Sequence, residues 1–228
     1  MIISHKHKFI FIKCRKTAGT SIELSLSKIC GPKDIITPFN SEDEKKRLDL
    51  GIRGAQNYLA AKSEKSHNSK WDFFKETKPV KKFYNHISAS ELAELVPEIW
   101  ENYFKFTVER NPFDKVVSYY FWRGGHEKYA TVSDFILAGG IDAMKSYDLY
   151  AINKFSAVDK IYRYEDFEFF EKDLSAQLQL SEPFQMIGYK AKSRHRKVRN
   201  YRDVLDEKAV ELIKLAFARE IELLGYVF

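Results

Sequence analysis

The segment Lys8-Phe9-Ile10-Phe11-Ile12-Lys13-Cys14-Arg15-Lys16-Thr17-Ala18-Gly19-Thr20-Ser21-Ile22 carries the main architectural signal of the chain. Phe9 to Ile12 is aromatic and β-branched with no polar residue, so a strand there is apolar on both faces, as a parallel strand buried between two layers must be. The small residues from Thr17 to Ser21 then turn the chain into a helical pattern, with Ile22, Leu26 and Ile29 on one face. Gly31-Pro32 ends that helix. Strand, small-residue loop and helix are the opening unit of an α/β fold.

Working outward, Ser88-Ala89-Ser90-Glu91 has capping-box spacing ahead of Leu92, Leu95 and Val96, which predicts a helix start with His86 on the loop entering it. Phe104 to Glu109 is a second strand, and Asn111-Pro112 is a helix start with Asn as cap and Pro in the first turn. Val116, Val117 and Tyr120 supply the buried face of that helix. Lys160 to Tyr164 is a third strand, with a helix over Phe167 to Leu180. Asp206 to Leu224 is read as one helix carrying Val210, Ile213, Phe217, Ile221 and Leu224 on a stripe and closed by Gly225. Strands alternating with helices predict an α/β fold around a parallel sheet. The chain is read as a single domain, 1–228, with a polar elaboration at about 40–82 that carries the scattered aromatics Tyr58, Trp71, Phe73 and Phe74.

Composition bounds the function classes. With 228 residues, 44% of them hydrophobic and 15% aromatic, the chain can bury a sizeable core and is not a disordered one. Its apolar runs are far shorter than the roughly eighteen residues of a membrane span, and Phe9 to Ile12 is too short for a signal-peptide core. Two cysteines, Cys14 and Cys30, make neither a disulfide framework nor a four-ligand zinc site, and a cytoplasmic setting is the expectation. No cluster of His, Cys and carboxylates has metal-ligand spacing, so no metal is expected. The net charge of +6 fits a phosphate-bearing ligand, a nucleic acid or an anionic polymer, and its weight lies in where the cations fall.

Two segments carry chemistry. Lys16 to Ser21 places backbone N–H groups, a lysine and three hydroxyls (Thr17, Thr20, Ser21) at a helix N-terminus, which suits an anion; equally, it is a tight strand-to-helix turn. The Gly-Lys-Ser/Thr ending of nucleotide phosphate loops is missing. Arg110 leaves the carboxyl end of a strand, where ligands bind in open α/β sheets, and Ser118 follows two turns into the next helix. Arg110 suits a phosphate, or an ion pair with Glu109 or Asp114.

Together, Lys16-Thr17-Ala18-Gly19-Thr20-Ser21 and Arg110-Asn111-Pro112-Phe113-Asp114 with Ser118 resemble the sulfotransferase superfamily, most closely its carbohydrate branch. The resemblance extends to Ile161 to Asp166 and to Glu222 to Tyr226, and covers most of the chain. It implies a three-layer, P-loop-like fold, with helices flanking a central parallel sheet. It further implies transfer of a sulfuryl group from 3′-phosphoadenosine 5′-phosphosulfate (PAPS) to a hydroxyl, with a saccharide as acceptor and no metal. Lys16, Thr17, Ala18, Gly19, Thr20 and Ser21 would then cradle the 5′-phosphosulfate, and Arg110 and Ser118 the 3′-phosphate. The basic loop from Lys190 to Arg202 would cover the cofactor, with Lys192, Arg194 and Tyr201 as candidate contacts. Lys16 would stabilise charge on the departing bisphosphate. His86 is the candidate base, since its surroundings resemble the catalytic-histidine segment of that branch; Glu91 and Glu109 are alternatives. Where the family often has His-Ile-Pro before the loop lysine, this chain has Lys13, Cys14 and Arg15. The family's Golgi members carry a membrane anchor, so this chain is expected to be a cytoplasmic relative, with no membrane or nucleic-acid partner. The rival readings are a Mg²⁺-dependent P-loop kinase or triphosphatase, and a nucleic-acid-binding protein using the basic loop.

Overall fold

A computed structural model describes residues 1–60, 81–188 and 200–228. The chain starts with β1 (Ile2–Ser4) and returns as β2 (Phe9–Ile12), followed by α1 (Gly19–Ile29), β3 (Ile35–Ile36) and α2 (Ser41–Asp49). After α3 (Ala89–Leu95) and α4 (Pro97–Asn102) come β4 (Phe104–Glu109), α5 (Pro112–Trp122), α6 (Gly125–Lys128), α7 (Val132–Leu137) and α8 (Tyr147–Tyr150). A small hairpin, β5 (Ala151–Ile152) and β6 (Phe155–Ser156), leads to β7 (Lys160–Arg163) and α9 (Phe167–Gln177). The chain closes with α10 (Glu207–Ala216) and α11 (Ala218–Leu224).

The central sheet has the order β3-β1-β2-β4-β7. β2, β4 and β7 pair in parallel, with Phe9 opposite Phe104 and Phe106 opposite Lys160. β1 runs against both its neighbours. The fold is therefore α/β with a mostly parallel sheet, as the opening stretch predicts, and β1 is the element that stretch does not announce. The alternation along β2 divides its side chains between two layers. Phe9 and Phe11 join Ile22 and Leu26 of α1 and Phe170 and Leu174 of α9, while Ile10 and Ile12 join Ile87, Leu92 and Tyr150 on the opposite face. Each such side chain contributes roughly 1.5–3 kcal/mol on burial, so a strand this short is fixed by its two cores. A third cluster ties α5 and α7 to α10.

Helix starts follow their caps. Ser88 makes the full capping box with Glu91, Asn111 accepts from the Phe113 amide ahead of Pro112, and Asp206 caps α10. The C-terminal segment departs from the single helix expected: it breaks at Phe217 (φ −119°, ψ 28°), whose ring is fully buried in the third cluster. The helix after β7 ends at Gln177, short of Leu180, as the chain turns through left-handed Gln179. Within the polar elaboration, α2 is capped by Asn40 and Tyr58 packs against the core. Trp71, Phe73 and Phe74 lie outside the described residues.

Glu109, at the end of β4, is fully buried and pairs with the equally buried Lys115 at 2.6 Å. The same carboxylate accepts from the Arg110 amide, and Lys115 also donates to Ser146 at 3.0 Å. Breaking one half of such a pair strands a charge in the interior. Lys115→Met is expected to cost roughly 3–5 kcal/mol in urea unfolding, and adding Glu109→Gln to recover most of it. A single variant as stable as wild type would show that the pair does not govern this corner of the fold.

Candidate active site

The loop between β2 and α1 has an unusual backbone. Lys16 (φ 61°) and Ala18 (φ 59°) both lie in the left-handed region although neither is glycine. Thr17 sits between them, fully buried, its hydroxyl donating to the Cys14 carbonyl at 3.3 Å. Alternation of handedness along successive residues turns their N–H groups toward one side, which is the geometry of an anion-binding concavity. Each non-glycine residue held there costs of order 1–3 kcal/mol, which the surrounding packing must offset. α1 begins directly after this loop with no side-chain cap and no acidic residue in its first turn. Its N-terminal partial charge therefore faces the loop without a local carboxylate.

Gly19 is required by a close approach. A β-carbon there would stand 2.7 Å from Lys13 Cγ and 2.9 Å from Lys13 Cε. Lys13 lies across the helix start to reach Glu23, a fully buried carboxylate that also pairs with the Met1 amino group. The Lys13 ammonium is 4.7 Å from the Phe39 ring centroid. Its carbonyl contacts His86 Nδ1 at 2.8 Å, and because a carbonyl only accepts, Nδ1 carries the proton and Nε2 keeps its lone pair. His86 itself is left-handed (φ 62°). Burial, then the Lys13 and Arg15 cations, push the imidazole down to about 3 against the raising effect of the Lys13 carbonyl. The ring is neutral throughout the physiological range.

Arg110 is buried at the end of β4. Its Nε donates to Asp114 at 2.7 Å, its Nη1 donates to the Lys16 carbonyl at 3.1 Å, and its guanidinium lies 4.1 Å from the Tyr164 ring centroid. Of the partners left open by the sequence, Asp114 is the ionic one present; Glu109 meets only the backbone of Arg110, and its carboxylate is taken by Lys115. Asp114 and Ser118 stand one helical turn apart on α5, half-buried, and Trp122 follows a further turn along. The Lys16 ammonium lies 5.0 Å from the Trp122 ring centroid. Arg110 thus holds the main chain of Lys16 while Trp122 meets its side chain. The sequence motifs mark Asp114 only as a possible partner of Arg110 and do not mark Trp122 or Tyr164 as site residues; the spacing of four from Ser118 to Trp122 is the available signal.

Tyr201 stacks on Phe113 with an interplanar angle of 16°, and its hydroxyl accepts from Asn111 Nδ2 at 3.4 Å. It lines an open cleft of ≈ 470 Å³ with Asn111, Asp114, Glu165 and Asn200, beside the Arg110 segment. Lys192 and Arg194 fall outside the described residues. The other candidate bases are engaged: Glu91 closes the α3 capping box and Glu109 is sealed against Lys115. Among the remaining described histidines, His5 contacts the Tyr103 hydroxyl, His7 contacts the Ile29 carbonyl and His126 packs on Tyr120 and Phe121. Among the described residues, no group of three or more His, Cys, Asp or Glu is placed to hold a metal ion. Among them, too, no helix is long and apolar enough to cross a membrane.

The loop, the Arg110 segment and α5 thus converge on Lys16, from β2 on one side and β4 on the other. No curated protein and no solved structure matches the chain. A family model described as the sulfotransferase family matches residues 1–227, from β1 through the end of α11, so the convergence lies within the match. The chain belongs to the sulfotransferase family and is a sulfotransferase enzyme.

Proposed function

We propose that the enzyme takes the sulfuryl group from PAPS and delivers it to a hydroxyl of a saccharide. The observation that carries the donor assignment is the meeting of the two motifs at the carboxyl ends of β2 and β4. There Arg110 bonds the carbonyl of left-handed Lys16, and the Lys16 ammonium lies on the Trp122 ring of α5. The saccharide acceptor rests on the resemblance of the Lys16 and Arg110 motifs to the carbohydrate branch.

In this reading the amides of Thr17 to Ser21 and the hydroxyls of Thr20 and Ser21 bind the 5′-phosphosulfate, and Lys16 meets charge building on the oxygen between phosphorus and sulfur. Arg110 and Ser118 take the 3′-phosphate, with Asp114 keeping the guanidinium fork aligned. Tyr201 and the cleft it lines lie beside that end and suit the nucleoside. His86, its Nδ1 proton held by the Lys13 carbonyl, accepts the acceptor's hydroxyl proton at Nε2. The hydroxyl oxygen forms the new bond to sulfur as the bond from sulfur to the 5′-phosphate oxygen breaks. Lys192 and Arg194 complete the donor site in this proposal. A cytoplasmic setting belongs to it as well, in keeping with two buried, free cysteines.

Thermal shift separates the donor from its rival. 3′,5′-Bisphosphoadenosine at 100 times its dissociation constant should stabilise the protein by about 2.7 kcal/mol, well above AMP. A preference for ATP with Mg²⁺ would overturn the reading in favour of a nucleotide kinase. Lys16→Ala should lower kcat by about 10²–10³-fold, in the range of a lost charge-stabilising donor. Wild-type turnover in that variant would remove Lys16 from the mechanism. For His86, the unfolded chain takes up a proton near pH 6.5 that the folded chain refuses until about pH 3, so stability falls as the pH drops through that window. His86→Gln should flatten that acid loss and lower kcat by about 10²–10⁴-fold. An inflection in kcat/KM near pH 6.5 that disappears in His86→Gln would contradict a base held neutral.

A further inference from the structure

α5 presents Asp114, Ser118 and Trp122 at successive spacings of four, so the three share one face of the helix. The first is bonded to Arg110 and the last carries the Lys16 ammonium on its ring. Lys16 is fixed from two further directions. Its left-handed backbone sets the direction in which the side chain leaves the loop, and Arg110 binds its carbonyl. Tyr119 lies against the Trp122 indole at 5.5 Å between centroids, with Arg123 at 6.0 Å on the same ring, so the indole plane is itself supported.

An indole face attracts an ammonium through its quadrupole while leaving the cation its charge and its N–H donors. A carboxylate in the same place would hold the lysine more tightly, but it would neutralise the charge and repel an incoming phosphosulfate. We propose that Trp122 is a positioning residue for sulfuryl transfer, its indole holding the Lys16 ammonium in place for the phosphosulfate. This rests on the role given to Lys16 in the proposed function. It adds a residue outside both the Lys16 to Ser21 loop and the Arg110–Ser118 pair.

The test compares Trp122→Ala and Trp122→Phe with wild type, following release of 3′,5′-bisphosphoadenosine from PAPS with water and with desulfated heparin as acceptors. Trp122→Ala should lose about three- to thirty-fold in kcat, the range of a cation–π contact, with KM for PAPS within about twofold, and Trp122→Phe should recover most of the loss. A Trp122→Ala kcat within about twofold of wild type, or a Trp122→Phe variant as slow as Trp122→Ala, overturns the proposal. A second readout needs no acceptor. The emission of Trp122, taken as wild type minus Trp122→Phe, should change on titration with 3′,5′-bisphosphoadenosine, and most of that change should be lost in Lys16→Met. An undiminished change in Lys16→Met also overturns it. Failure of the underlying reading looks different: Lys16→Ala then turns over like wild type, whereas an inactive Lys16→Ala beside a normal Trp122→Ala removes only the indole.

Discussion

Glu23 is the counter-charge on which the site is built. It lies in the second turn of α1, fully buried, and it holds the Lys13 ammonium inside the protein. Because Lys13 is held there, its side chain crosses the start of α1, its carbonyl orients His86, and its charge helps keep that imidazole neutral. The helix N-terminus, the candidate base and the end of β2 are thereby set relative to one another by a single ion pair. Its desolvation is substantial, so its value lies in geometry more than in net stability.

A second buried pair performs the same task for the other half of the site. Glu109 and Lys115 join β4 to α5, and Lys115 reaches on to Ser146, whose hydroxyl also lies 3.5 Å from the Arg15 amide. The two segments that converge on Lys16 are thus linked from behind through charged groups sealed from solvent. Among the described residues, Glu109 Oε2 and the Tyr150 hydroxyl are buried without hydrogen-bond partners. Such groups are typical of the places where an interior water completes a polar network.

The parts of this arrangement that were legible in the sequence are those carried by short-range rules. Phe9 to Ile12 announces a strand buried on both faces because four consecutive apolar side chains must point two ways. Ser88, Asn111 and Gly225 mark helix ends because cap chemistry is local. The loop from Lys16 to Ser21 and the pairing of Arg110 with Ser118 were legible as motifs. What was not legible depended on neighbours far away in the chain. β1 is only three residues long and shows no period of its own. The break at Phe217 comes from the core that draws the ring in. The contact of Lys16 with Trp122 joins the loop after β2 to the last turn of α5, far along the chain. Glu109 read as a carboxylate beside Arg110 and proved to belong to Lys115, because alternation in a strand sends neighbours to opposite faces.

The crossing of Lys13 over Gly19 bears on how this chain can diverge. A methyl group at position 19 collides with the stem of Lys13, whereas a shorter residue at position 13 would leave room for it. Yet shortening position 13 alone leaves Glu23 buried beside the Met1 amino group, whose affinity for a proton burial lowers, without the Lys13 ammonium. Positions 13, 19 and 23 therefore form a set whose substitutions are tolerated jointly and penalised singly. Evolutionary drift in this buried corner is expected to proceed in correlated steps, with the identity of residue 13 deciding which neighbours are open to change.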